Sequence, residues 1–434
     1  MRKTVFGCLG AAVVVFALQF TQADVQAALF SACDPCNPCN EVGPCDDTQG
    51  CDPCGAVCGT KAGKWFLNGH MEAGFFANAH GQKSTYTGNG NWFTERGADY
   101  VSGNTDLLQN TRLTGAQVNQ VYISMGKAVD GRRGLDIGGT VDFTWGSDAY
   151  QVQLRGMEYA AGHGNQRNRW GEGDYYAAFA QAYVEAEYGR WNVKAGKFYA
   201  PFGSSAYKST DNFFYSWAST AMIAPTVAGG AYATYSLNSK WDLYGGWVTP
   251  GEFGESSKNN ALIGGFNWKP SKRFSLRYTF AAGKDTRADH PLYGPMDHKN
   301  LFINTLLATT QISKRLKYVF EWTLVNDNVA ASSGAPKDHF AAYGINNEII
   351  YQYSKAWAFG VRFGMLHDSD YGIVDINDDL YTVGLGANWT PTKWLIVKPE
   401  IRYDWLDKGT SNLQFDGGTS DYQFSGGLSA VVKF

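Results

Sequence analysis

The sequence predicts an all-β chain that crosses a membrane as an antiparallel up-and-down barrel of about sixteen strands, with roughly 14 to 18 admitted by the weaker segments. Three observations carry this expectation. The first is a period of two from Trp65 to the carboxy terminus, in which one phase is apolar, often aromatic, and in six of the segments free of charge. The second is segment length: stretches of about 10 to 13 residues exceed the usual 5 to 6 of soluble strands and match what a tilted strand needs to cross a bilayer. The third is that the joins between segments alternate between short and long.

Taken from the amino terminus, the chain of 434 residues carries 37 Lys and Arg against 40 Asp and Glu, a net charge of −3. That balance gives no nucleic-acid footprint. Met1-Arg2-Lys3, the apolar stretch Gly7 to Phe20 interrupted only by Gln19, and the small-residue pattern at Val25-Gln26-Ala27 read as a secretory signal peptide over 1–27. Beyond it, no run approaches the roughly 20 apolar residues of a spanning helix, so any membrane crossing must be made by strands. A lipid on Cys33 is the rival reading of this region, disfavoured by Phe30 three residues before it.

A Cys-rich segment over 28–64 follows, holding Cys33, Cys36, Cys39, Cys45, Cys51, Cys54 and Cys58, and no cysteine comes after it. In an oxidising compartment such a cluster forms disulfides, and an odd number leaves one thiol free or joined to another chain. CxxC pairs also suit a metal. The barrel, over 65–434, receives no disulfide from its own residues.

Leu135 to Trp145 illustrates the strand pattern, with Leu135, Ile137, Val141, Phe143 and Trp145 on one phase and Asp136, Thr140, Asp142 and Thr144 on the other. Strands are expected near 65–78, 116–127, 135–146, 176–188, 191–199, 228–237, 241–248, 260–269, 273–284, 300–312, 315–326, 343–353, 356–367, 380–390, 394–405 and 421–434. Trp145, Trp241, Trp268, Trp389, Trp394 and Trp405 lie near segment ends, where interfacial girdles sit. A soluble β-sandwich also alternates, but it would not need these lengths, girdles or joins. Pro399, on the apolar phase, suggests a local bulge. With the apolar phase facing lipid, Phe320→Arg should destabilise the barrel while Thr323→Arg, one phase away, should be tolerated.

Leu428, Ala430, Val432 and Phe434 alternate up to a terminal aromatic, similar to the signal by which outer-membrane barrels are handed to their assembly machinery. GKFYAPFGSSAYKSTDNFFYSW from Gly196 to Trp217, GGAYATYSLNSKWDLYGGW from Gly229 to Trp247 and the ending AVVKF resemble the OmpL-like β-barrel porins of diderm bacteria. The resemblance implies a channel in the bacterial outer membrane, passing small hydrophilic solutes and ions by passive diffusion, and similarity of architecture to sixteen-stranded porins suggests a homotrimer. The Cys-rich segment lies outside that resemblance. A different class of function remains open, a structural envelope protein anchored by its barrel and cross-linked through those cysteines.

The join from Ala200 to Ala228 is the third long loop and, by similarity of architecture, the one expected to narrow the lumen. Tyr207, Phe213, Phe214, Tyr215 and Trp217, with only Lys208 and Asp211 charged, make it too apolar for a solvated loop. Packing between subunits or on the rim is the alternative. Phase assigns Asp136, Asp142, Glu185, Glu187, Lys194, Arg277, Lys317, Glu321, Glu348, Arg362, Lys398, Glu400, Arg402 and Asp404 to the lumen, a set of both signs from which no ion preference follows. The acidic run from Asp368 to Asp379 lacks EF-hand spacing. No HExxH, GxSxG or P-loop occurs, so neither an enzyme nor a cofactor is expected.

Overall fold

The structure, a computed structural model, describes residues 65–79, 115–154, 156–158, 170–172, 175–250, 260–284, 289–290, 294–295, 298–329, 339–368, 379–407 and 420–434. The signal peptide, the seven clustered cysteines and most of the acidic run after Asp368 lie outside these residues.

Sixteen strands form the barrel: β1 (Trp65–Asn78), β2 (Gly115–Lys127), β3 (Asp136–Gly146), β4 (Tyr175–Tyr188), β5 (Trp191–Tyr199), β6 (Val227–Asn238), β7 (Trp241–Pro250), β8 (Asn260–Ser271), β9 (Phe274–Lys284), β10 (His298–Gln311), β11 (Leu316–Val329), β12 (His339–Gln352), β13 (Trp357–Asp368), β14 (Asp379–Thr392), β15 (Leu395–Leu406) and β16 (Tyr422–Lys433). Each pairs antiparallel with its sequence neighbours, and β1 also pairs with β16, Ala73 opposite Ala430, which closes the sheet and leaves no edge. Joins at one end are as brief as 189–190 and 239–240, whereas those at the other include 79–114 and 200–226.

The uncharged phase points outward. Ile137 is 60% exposed and Val184 63%, whereas Arg402 and Thr323, on the alternate phase, are 1% and 0%. A soluble sandwich would bury the first pair and expose the second, so the pattern is that of a sheet solvated by hydrocarbon. Rings stack along the outer face near strand ends, Trp241 on Trp268 at 5.5 Å, Trp357 on Trp389 at 5.9 Å and Tyr381 on Trp405 at 5.4 Å. Two amides also face outward, and each has a hydroxyl from the adjacent strand: Tyr278 donates to Asn304 Oδ1 at 2.6 Å and Tyr318 to Asn347 Oδ1 at 2.7 Å. In hydrocarbon such a carbonyl has no water to accept from, so the tyrosines meet a requirement of the site.

Pro399 does not produce the expected bulge. It keeps its register opposite Leu428 on β16, and the shift in β14–β15 pairing falls between Trp389 and Thr392 instead. Lacking an N–H, the proline costs one ladder bond without demanding an extra residue. Genuine bulges occur elsewhere. Between β1 and β2 the register steps at Glu72/Ala73, leaving Asn119 as the extra residue, and between β3 and β4 it steps at Asp142/Phe143.

Candidate functional site: a loop docked across the lumen

Loop 200–226 joins β5 to β6. Its Asn212 side chain closes a ring on Ala206, accepting from the Ala206 N–H at 2.8 Å and donating to the Ala206 carbonyl at 2.6 Å. Short 3-10 turns follow at Ser209–Asp211 and Ser219–Met222. Seven consecutive residues, Phe214 to Thr220, are buried, so their backbone groups need protein partners.

Charged wall residues supply many of them. Ser204 donates its N–H to Glu321 at 2.7 Å and its hydroxyl to the same oxygen, and Ser216 treats Glu400 alike, N–H to Oε2 at 2.8 Å and hydroxyl to Oε1. Cations take the carbonyls: Arg277 that of Gly203 at 2.7 Å, Arg362 that of Ser216 at 2.8 Å, Arg402 that of Trp217 at 2.8 Å, and Lys398 those of Ser209 and Asn212. Gln120 on β2 donates to Tyr207 O at 2.7 Å and accepts from Ser209 N at 3.1 Å. Partners on β2, β9, β11, β13 and β15 surround the loop, which can reach all of them only from within the barrel.

Rings seat where the wall lacks side chains. A Cβ at Gly360 or Gly386 would fall against Phe213 or Phe214, and one at Gly74 or Gly427 against Tyr215. Phe214 also lies 4.2 Å from the Arg362 guanidinium, and the Tyr215 hydroxyl donates to Asn119 at 2.9 Å. On its other side the loop presents Phe202 and Ile223 to an apolar arc of the inner wall that includes Ile263, Ile303, Val325 and Leu366. Tyr207 and Trp217 share a second cluster with Val152 and Leu154 from the preceding long loop.

Of the loop residues singled out by sequence, Tyr207, Phe214, Tyr215 and Trp217 are buried, Lys208 and Phe213 are half-buried, and Asp211 is exposed. Among the wall charges, Arg277, Glu321, Arg362, Lys398, Glu400 and Arg402 hold the loop directly. Glu348 and Asp404 hold Arg362 and Arg402 in turn, at 2.9 and 2.8 Å. Asp142 lies beneath Lys208 at 3.8 Å and accepts from Gln181 at 2.6 Å. Asp136, Glu185, Glu187, Lys194 and Lys317 face inward nearer the short-turn end, where Asp136 pairs with Lys127 and Glu185 lies 3.5 Å from Lys194.

Thr323 corrects the expectation attached to it. It does face inward, but it is fully buried, donating to Glu321 Oε1 at 2.9 Å, so an arginine there has no open water to enter. Sequence reading also missed that the loop after β3 folds inward. Its 3-10 turn Ser147–Val152 places Asp148 within 3.2 Å of Asn119 Nδ2 and 3.0 Å of Gln120 Nε2. The bulge at Asn119 is what lets two consecutive residues reach the same carboxyl. Burial pushes the Asp148 carboxyl up to about 8, the neighbouring Glu72 adding to the effect and these amide donors opposing it.

Comparison with known proteins agrees with this architecture. The family model described as "Putative beta-barrel porin-2, OmpL-like" matches residues 67–434. No curated protein sequence matches the chain significantly. Among solved structures, the outer membrane channel DcaP of Acinetobacter baumannii is similar with a TM-score of 0.53 at 11% identity, covering 88% of this chain and 100% of that one. An anion-selective porin from Comamonas acidovorans gives 0.51 at 8%, covering 86% and 99%. OmpT of Vibrio cholerae gives 0.51 at 10%, covering 87% and 99%, and has also been determined in a trimer form. At such identities these neighbours establish the fold, while the family match over nearly the whole barrel establishes kinship: the chain belongs to the OmpL-like β-barrel porins, channels of the bacterial outer membrane.

Proposed function

We propose that the protein is a passive diffusion channel for small hydrophilic solutes and ions, narrowed by the loop over 200–228. The observation that carries this reading is the loop itself, held inside a closed barrel by hydrogen bonds to wall residues far from it in sequence, such as Ser216 with Glu400. A loop serving only the rim would have no use for partners in the lumen. Family and neighbours support a channel rather than an enzyme. The chain is exported by the signal peptide over 1–27, inserted by the outer-membrane assembly machinery, solvated by outer-membrane lipid and assembled as a homotrimer, for which the trimer form of OmpT is the supporting precedent. Disulfides among Cys33 to Cys58 form in the oxidising compartment that export implies.

Reconstitution in a planar bilayer tests the reading. Stepwise ionic conductance is expected, and deletion of Ser204 to Ala221 should enlarge each step. A correctly folded barrel without conductance rejects the channel, and unchanged steps after the deletion reject the narrowing.

A further inference from the structure

Docking the loop uses up most of the cationic wall. Arg362 and Arg402 each hold a loop carbonyl and a carboxylate, and Lys398 is enclosed between two loop carbonyls at 1% exposure. Groups so enclosed lie out of reach of a passing solute. Of the cations that keep partial exposure, Lys208 on the loop lies 3.8 Å from Asp142, and Lys194, nearer the short-turn end, lies 3.5 Å from Glu185.

Arg277 differs from all of these. Its Nη2 donates to Gly203 O at 2.7 Å, its Nε is buried without a hydrogen-bond partner, and it forms no ion pair with any carboxylate among the described residues. Glu321, the acid on the wall beside it, lies beyond ion-pair distance, takes hydrogen bonds from Ser204 and Thr323, and still acts on the guanidinium through its charge. Gly203 has a φ of +67°, a left-handed conformation open to glycine at little cost, at the turn whose carbonyl Arg277 holds.

The surroundings place this guanidinium on the open side of the lumen. Inward side chains on β13 to β16 at the level of the loop, from Arg362 to Ser429, are almost all buried, whereas Tyr183, Lys194, Tyr232 and Asn267 on β4 to β8 stay half-buried. Arg277, itself half-buried, pairs across the ladder with Asn267 and so borders that open sector.

We propose that Arg277 is the specificity-determining residue of the channel, a cation without an ion-pair partner at the loop's neck that favours small anions, both inorganic anions and carboxylates, over cations. The inference rests on the channel reading. A guanidinium held by a loop carbonyl and by no carboxylate, beside a narrow passage, attracts an anion and raises a barrier to a cation.

The test is the reversal potential of the reconstituted protein under a KCl gradient. Wild type should prefer chloride. Arg277→Gln should lower the chloride-to-potassium permeability ratio by about fivefold, the weight of one unit charge at contact distance in water, and Arg277→Glu should invert the preference. Lys317→Gln, nearer the short-turn end, should shift it less. If losing the Gly203 anchor also raises conductance, Arg277→Lys decides, because it keeps the charge: a retained chloride preference supports the proposal and a lost one overturns it. A cation-preferring wild type, or a permeability ratio unchanged in Arg277→Gln, also overturns it. Absence of any conductance from a folded barrel is a distinct result, which removes the channel reading itself.

Discussion

Tyr318 and Asn347 provide a direct measure of what a polar contact is worth on the lipid face. The Tyr318 hydroxyl, from near the short-turn end of β11, donates at 2.7 Å to Oδ1 of Asn347 on β12. Tyr318→Phe leaves that amide oxygen facing hydrocarbon with no side-chain donor. A buried acceptor left unmade costs about 1 to 3 kcal/mol, and contacts within membranes average nearer 0.6 kcal/mol because the unfolded chain in lipid also finds partners. We therefore expect a loss of about 1 kcal/mol, the overlap of those two ranges. Asn347→Leu removes the acceptor altogether, so the double variant Tyr318→Phe/Asn347→Leu has no orphan and should be at least as stable as Tyr318→Phe alone. Denaturant titration of the protein folded into lipid vesicles, followed by tryptophan fluorescence and heat-modifiable gel mobility, gives the four stabilities of the cycle. The second pair, Tyr278 and Asn304, repeats the experiment at an independent place. Additive single effects in both cycles would refute the claim that these tyrosines exist to satisfy lipid-facing amides.

An arginine on the lipid face should cost about 2 to 4 kcal/mol near the midplane. Phe320 is a flawed site for it, since Asn347 stands directly opposite and offers a partner, whereas Leu385, flanked by Val361 and Ile401, offers none; Leu385→Arg should therefore lower the denaturation midpoint in vesicles while Thr234→Arg, inward and half-buried, should not. Ser216→Ala removes hydroxyl contacts to Glu400, Arg362 and Arg402, weakening the loop's seat by about 2 to 3 kcal/mol, and should appear as larger or flickering conductance steps with the barrel intact. For Asp148, raised by burial to about 8 from an ordinary 3.8, the unfolded chain releases its proton between those values while the folded chain keeps it. Stability should thus fall as pH rises from about 4 to 8 and level off above, a slope that Asp148→Asn should flatten in denaturant midpoints measured across that range.

The barrel was legible because lipid and lumen impose opposite demands on alternate residues. Leu135 to Trp145 shows both demands on one strand, and even short β5 is bounded by Trp191 at the turn and Tyr199 at the loop. Places where both phases were apolar were harder to read. In the doublets Leu324-Val325 and Met365-Leu366 the second residue faces inward, and the loop is what it packs against. Such doublets were the available sign that something apolar occupies the lumen. The partners themselves could not be read, because Ser216 meets Arg362 and Glu400 across 146 and 184 residues of chain. Nothing local at Gln120 or Asp148 marks them as contacts, since their roles depend on a bulge whose register only the folded sheet sets.

The charged phase of the wall therefore has two functions that sequence alone merges. A buried loop needs acceptors for its N–H groups and donors for its carbonyls, and the wall supplies acids to the former at Ser204 and Ser216 and bases to the latter at Gly203, Ser209, Ser216 and Trp217. Wall charges that are both ion-paired and bonded to the loop fix the width of the passage, whereas a charge with no ion-pair partner also acts on what passes. Arg402 and Arg277 are the contrasting pair, the first bound to Asp404 and two loop residues, the second to one carbonyl. Arg402→Gln leaves Asp404 without its cation in a buried site, which commonly costs 3 to about 5 kcal/mol, and should change conductance and stability together. Arg277→Gln should move the permeability ratio with little loss of stability. If both substitutions moved the same observable to the same degree, the division between positioning charges and selecting charges would have to be abandoned.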